Sequence, residues 1–196
     1  MRYSKEHKAE THARIVKTAA MRFREKGARG VGVADLMKEA GLTHGGFYAH
    51  FDSREALLIE ALASSMERGL ARWRKRTADA APEDRLAAIV TGYLSTAHRD
   101  DPGHGCSIPA LGADAVREGP KVRKALASTL DDLIVMIAEQ IPGEDRKAAR
   151  KQAVATLATM VGAILMSRVA GTGEFSNEIL DVAREHILQN APAQSD

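Results

Sequence analysis

Apolar positions recur at three- and four-residue intervals through almost the whole chain, and few windows alternate as a half-buried strand would, so the spacing predicts an all-α protein. From about Glu6 to Lys26, Ile15, Val16, Ala19, Ala20 and Phe23 share one helical face, and Gly27 reads as a C-terminal stop. Val33, Leu36, Met37 and Ala40 make one face of a helix only two turns long, closed by Gly41, which is too short to stand alone. Thr43 then caps a third short helix to about His50, with Phe47 and Phe51 inward. Ser53 opens a long helix in which Leu58, Ala61, Leu62, Met66, Leu70 and Trp73 share a face, followed by a loop over 77–81. Beyond it the pattern predicts a helix from Pro82 to about Arg99, a Gly/Pro-punctuated stretch over 100–109, and a short helix to about Gly119. Another runs from Pro120 to the Pro142-Gly143 break, lined by Val122, Leu126, Leu130, Leu133 and Ile137, before two last helices over about 145–169 and 177–190. The total is about nine helices.

Composition narrows the class. With 196 residues and 44% hydrophobic content, the chain is long enough for one or two real cores, and disorder is excluded. A single Cys excludes a disulfide framework and a Cys-rich zinc site. The charged start Met1-Arg-Tyr-Ser-Lys-Glu-His-Lys lacks the apolar core of a secretion signal, so a cytoplasmic protein is expected. The apolar-rich run Ala153 to Met166 falls short of the roughly 20 residues a bilayer span needs. It is expected to form a buried helix, with no membrane partner. Charge is uneven: residues 1–54 hold 11 Lys/Arg against 6 Asp/Glu, and the remainder 17 against 20. A small cationic segment on a slightly acidic body points to a polyanion as the partner of the first part.

Helix, short helix, a turn with Gly, and a second short helix is the arrangement of a helix-turn-helix, which enters the major groove through the N-terminal residues of that second short helix. Gly41 allows the tight turn, and Val33, Leu36, Met37 and Phe47 can bury a shared face against the first helix. His44, Gly45, Gly46, Tyr48 and Ala49 are left to point outward. The segment Thr11 to Leu58, above all Val33-Ala-Asp-Leu-Met-Lys-Glu-Ala-Gly-Leu-Thr-His-Gly-Gly-Phe-Tyr-Ala-His-Phe-Asp-Ser-Arg-Glu-Ala-Leu-Leu58, resembles the DNA-binding domain of the TetR/AcrR family of transcriptional regulators.

That resemblance implies roles. Thr43, Tyr48 and His50 match positions that contact DNA phosphates, and Arg54 matches a basic position that does likewise. His44, Gly45 and Gly46 match those nearest the bases. Phosphate contacts would set register and base contacts sequence. Two departures stand out: Gly32 replaces the usual Ser or Thr cap of the second helix, and Gly46 puts a hydrogen atom where larger side chains often sit.

One head offers few base contacts, so a two-fold homodimer on a palindromic double-stranded DNA operator is expected. The last two helices are the candidate interface, through Leu157, Ala158, Val161, Gly162 and Leu165 and a stripe of Ile179, Ala183 and Ile187, the alternative being that both faces pack inside one protomer. The resemblance implies a four-helix dimer interface there. The middle helices would then hold a pocket for a small-molecule effector, with Met66, Trp73, Tyr93, His98 and Met136 as candidate contacts. Cys106 joins them as a thiolate near His98 or His104, against the blander reading of a small buried hydrophobe. His98, His104 and Cys106 lack a recognisable fourth metal ligand, so neither metal nor cofactor is expected.

Two rival functions are a helical enzyme with Cys106 as nucleophile, supported by residue types alone, and a helical interaction module whose basic end only solubilises it. The expected division is a helix-turn-helix domain over 1–52 and a helical effector-binding and dimerisation domain over 53–196. The expected function is a ligand-responsive DNA-binding regulator, a repressor released by its effector, and no enzyme.

Overall fold

The computed structural model describes residues 5–143 and 145–191, so the first four residues of the charged start lie outside the described residues. Among the described residues there are nine α-helices, three 3₁₀ helices and no strand. The helices are α1 (Lys5–Lys26), α2 (Val33–Glu39), α3 (Arg54–Ala78), α4 (Arg85–Tyr93), α5 (Thr96–Asp100), α6 (Ser107–Glu118), α7 (Pro120–Ala138), α8 (Arg146–Ala170) and α9 (Glu174–Gln189). The 3₁₀ helices cover His44–Ala49, Pro102–His104 and Pro82–Asp84, the last leading into α4.

Three sequence expectations change. The segment after Gly41 is a 3₁₀ helix, and Thr43 sits at its N-cap without a side-chain hydrogen bond. Two consecutive glycines in six residues weaken α-helix formation there. The helix expected to reach Arg99 breaks at Leu94, because the Ser95 side chain accepts from the His98 N–H and starts α5 anew. The Gly/Pro stretch is partly helical, and Pro109 lies within the first turn of α6, where its missing N–H is not needed. The cap read at Ser53 is present, and Asp145 supplies a further one. Ser53 Oγ accepts from the Ala56 N–H at the start of α3, and Asp145 accepts from the Lys147 and Ala148 N–H groups at the start of α8. Gly41 adopts φ +73°, the left-handed conformation the turn requires. Leu130, expected inside, is 39% exposed.

The chain packs as two compact units, one of Met1–Glu67 with Pro102–Ala127, the other of Arg68–Asp101 with Ser128–Asp196. These packing units cut the chain elsewhere than the functional boundary expected at residue 52. The first unit holds a continuous core of Ile15, Ala19, Phe23, Leu36, Met37, Phe47, Leu57 and Leu58, to which α6 and the start of α7 add Leu111, Ala115, Val122 and Leu126. Burying a Phe side chain completely is worth roughly 1.5–3 kcal/mol, so Phe23 and Phe47 anchor this unit. Polar clips accompany the core: Arg24 is buried and donates through Nε to the Gly103 carbonyl (2.9 Å), Arg29 pairs with Glu118 (2.7 Å), and Lys121 approaches Glu55 (3.9 Å).

In the second unit α8 packs along α9, α5 against α8 and α4 against α9. Ser176 Oγ donates to the Ser167 carbonyl and accepts from Arg99, tying α5, α8 and α9 together at buried positions. Helix α8 has two faces. Ala153, Thr156, Leu157, Met160, Ala163, Ile164 and Ser167 are buried, whereas Val154, Leu165, Met166 and Val169 are exposed. By length and composition it is apolar enough to cross a membrane, with a mean hydropathy of 1.7 and 39% of that stretch buried. The expectation of a simple buried helix therefore holds for one face only.

Candidate nucleic-acid interface

Within the first unit, the residues from Thr43 to Arg54 sort by side-chain direction. Phe47 is 1% exposed and stacks on Phe51 with ring centroids 5.5 Å apart, which seats the 3₁₀ helix on the core. Its neighbour Tyr48 turns the other way and is 71% exposed, edge-on to Phe47 at 5.2 Å. Thr43, His44, Gly45 and Ala49 are exposed as well, and Gly46 is half-buried. A Cβ added to Gly45 would meet nothing within 4 Å, and one at Gly46 would touch Met37 Cε at an ordinary 3.6 Å.

The two flanking candidates are more engaged. His50 is half-buried against His12 and Phe51, and its Nδ1 atom is buried with no hydrogen-bond partner among the described residues. Burial first, then the charges of His12 and Lys8, lower its pKa, which favours the neutral imidazole. His12 in turn stacks on Phe51 (4.4 Å) and meets Glu60 at 2.6 Å. The Arg54 guanidinium lies over the Phe23 ring at 5.3 Å and 3.9 Å from Glu118, with a long 3.5 Å approach to the Val31 carbonyl. These contacts set its position beside α1 and α6. At the start of α2, Gly32 supplies a backbone N-cap without a side-chain bond.

The six expected effector contacts fall in separate places. Trp73, Tyr93 and His98 come together in the second unit, Trp73 edge-on to Tyr93 at 5.9 Å and Tyr93 edge-on to His98 at 4.4 Å. Met136 lines a cavity of about 430 Å³ with Leu70, Arg74, Thr77, Arg85 and Glu139. Met66 and Cys106 belong to the first unit, where Cys106 is half-buried at the N-cap of α6 rather than deep in a core. Among the described residues no three His, Cys, Asp or Glu side chains group as a metal would require.

Of the expected interface residues, Leu157 and Ile187 are buried within the second unit at 1% and 3% exposure. Ala158 and Leu165 are exposed, and Val161, Gly162, Ile179 and Ala183 half-buried. Val154, Met166 and Val169 on α8 and Phe175 and Val182 on α9 are also exposed, and sequence reasoning passed over them.

Among the described residues every regular element is helical, and α2, the Gly41 turn and the short helix that buries Phe47 and exposes Tyr48 have the arrangement of a helix-turn-helix of DNA-binding regulators. Comparison with known proteins gives the same class. The N-terminal domain of bacterial regulatory proteins of the tetR family matches residues 15–61, and the C-terminal domain of LmrA/YxaF-like transcriptional regulators matches residues 82–186. An uncharacterized HTH-type transcriptional regulator of Mycobacterium tuberculosis is 31% identical over 167 residues, spanning 80% of this chain and 83% of its own. The crystal structure of a TetR transcriptional regulator from Chloroflexus aurantiacus superposes with a TM-score of 0.79 at 25% identity, covering 94% of this chain and 95% of that one. The reduced form of E. coli NemR shares the fold, with a TM-score of 0.81 at 21% identity over 95% of this chain and 100% of its own. The chain belongs to the TetR family of DNA-binding transcriptional regulators.

Proposed function

We propose that this regulator is a cytoplasmic repressor that binds a palindromic operator as a homodimer and leaves it when a small-molecule effector binds the helical body. The observation that carries the DNA-binding part is the split between buried Phe47 and exposed Tyr48 on one six-residue helix. With Phe47 seated in the core, Tyr48, Thr43 and His44 are left exposed on the same segment. In this reading residues 1–52 are the DNA-binding domain and 53–196 the effector and dimerisation domain. Thr43, Tyr48, His50 and Arg54 take phosphates; His44 and the backbone at Gly45 and Gly46 approach the bases. The outer apolar faces of α8 and α9 pair two protomers, with Gly162, beside which an added Cβ would meet nothing within 4 Å, allowing close approach. The effector acts by binding more tightly to a conformation whose heads are wrongly spaced for the operator.

Selection of bound duplexes from random DNA, with sequencing and a salt series on the winners, tests the reading. The expected result is a two-fold symmetric consensus whose affinity falls steeply with salt. Enrichment of no motif by folded protein, with and without small-molecule extracts, would overturn it.

A further inference from the structure

Between Glu67 and Asp79 the chain carries Arg68, Arg72, Arg74, Lys75 and Arg76 and no acid. Arg72 and Arg76 are one turn apart on α3, and both act on His98 of α5, as does Arg168 of α8. The Arg168 guanidinium is anchored on the carbonyls of His98 (2.8 Å) and Arg99 (3.0 Å). The His98 Nδ1 atom lies 2.8 Å from the Tyr93 carbonyl; since that oxygen only accepts, Nδ1 carries the proton and the neutral ring keeps Nε2 as an acceptor. Burial foremost, with Arg168, Arg72 and Arg76 in support and the Tyr93 carbonyl opposing, takes the His98 pKa down to about 4. The nearby Asp100 carboxylate is already held by Arg99 at 2.7 Å.

Arg76 is the exception in this group. It is half-buried, and among the described residues it has neither an ion pair nor a hydrogen bond. Its guanidinium fills the space beside the Gly92 Cα, so closely that any Cβ there would overlap it. Burial and the charge of Arg72 both lower its hold on its proton. A half-buried guanidinium with no counter-ion among the described residues leaves its paired donors open to an anion.

We propose that Arg76 and Arg72, with His98 beside them and the Trp73–Tyr93 pair behind, bind the carboxylate of a small aromatic acid. This rests on the reading of the second unit as effector-binding and gives its effector a chemical class. Arginine presents paired donors that match a carboxylate, and the neighbouring arginine and imidazole leave room for no cationic ligand. Proton uptake at His98 Nε2 then adds a third donor, so binding is coupled to protonation of that ring.

The test uses the full-length protein with benzoate, and with benzamide as the uncharged analogue. Trp73, the single tryptophan of the chain, reports binding by fluorescence, and the His98 ring signals report its titration by NMR. Benzoate up to about 10 mM, enough to saturate a site of millimolar Kd, is expected to change Trp73 emission and move the His98 midpoint upward, while benzamide does neither. Arg76→Gln is expected to weaken benzoate at least tenfold and Arg76→Lys less. Gly92→Ala, which keeps every arginine but evicts the guanidinium from its place, should weaken it also. Equal responses to acid and amide, no response to either, or an Arg76→Gln variant that binds as the wild type would overturn the assignment. Operator affinity measured on the same samples separates the two layers. Arg76-dependent benzoate binding that leaves operator affinity unchanged upholds the site and counts against the effector reading; operator release by neutral molecules alone does the reverse.

Discussion

The backbone N–H of Ala28 donates to Asp114 Oδ2 at 2.7 Å, joining residues 86 positions apart. Ala28 follows Gly27, where α1 ends, and Asp114 is on α6, so the end of the first helix is capped by a side chain from far along the sequence. Asp114→Ala leaves that buried amide without its acceptor and removes the partner of Arg117 at 3.7 Å. A loss of about 1–3 kcal/mol is expected, read as a lower unfolding midpoint in urea with an unchanged slope. Asp114→Asn should recover part of it, because an amide oxygen still accepts.

Tyr48→Phe removes one hydroxyl from an exposed ring and disturbs no packing. Operator affinity is expected to fall by about ten- to a hundredfold, the roughly 1.5–3 kcal/mol of one hydrogen bond to a charged group, while sedimentation shows the same oligomer. Equal affinity of mutant and wild type would remove Tyr48 from the phosphate contacts.

Two leucines on α8 should behave oppositely. Leu165→Glu places a charge on the exposed outer face and is expected to yield folded monomers with weakened operator binding, seen by light scattering and circular dichroism. Leu157→Ala empties a site 1% exposed and should cost about 2–5 kcal/mol of stability, whatever the oligomer.

His98 gives a pH dependence of definite sign. Its folded pKa, about 4, lies below the ordinary 6.5, so between these values the unfolded chain binds more protons. Stability is therefore expected to fall as pH drops from about 6.5 to about 4 and to change little from this source above that window. The lowered pKa of His50 works in the same direction. His98→Asn should flatten the slope measured by urea unfolding across the window; an unaltered slope would show that the ring is not the group responsible.

The helix-turn-helix was legible because its signals are local: Gly41 for the turn, the spacing of Leu36, Met37 and Phe47 for the buried face, Tyr48 next to Phe47 for the exposed one. The capping side chain at Ser53 was legible for the same reason. The break at Leu94 was not, since apolar spacing runs through it and only the Ser95 hydrogen bond reveals it. Association of α6 and the preceding 3₁₀ helix with the head was also hidden, because it depends on Asp114, Glu118 and Gly103 meeting residues of α1 and its following turn. In the second unit Trp73, Tyr93 and His98 could be singled out by type, whereas nothing in the apolar spacing joins Arg72, Arg76 and Arg168 to His98. Apolar periodicity likewise cannot separate Leu157 from Leu165, as a helix with two apolar faces hides which one meets its own chain.

Gly45 is exposed with open space beside it, half-buried Gly46 would accept a β-carbon at ordinary contact with Met37, and neither needs a backbone conformation reserved for glycine. The fold therefore makes no demand for glycine at position 45 and tolerates a small side chain at 46. On the proposed reading, substituents there would alter which base edges are touched while Phe47 stays buried. If these positions face the bases as proposed, operator preference can change there at little cost in stability, and new specificities lie one or two substitutions away.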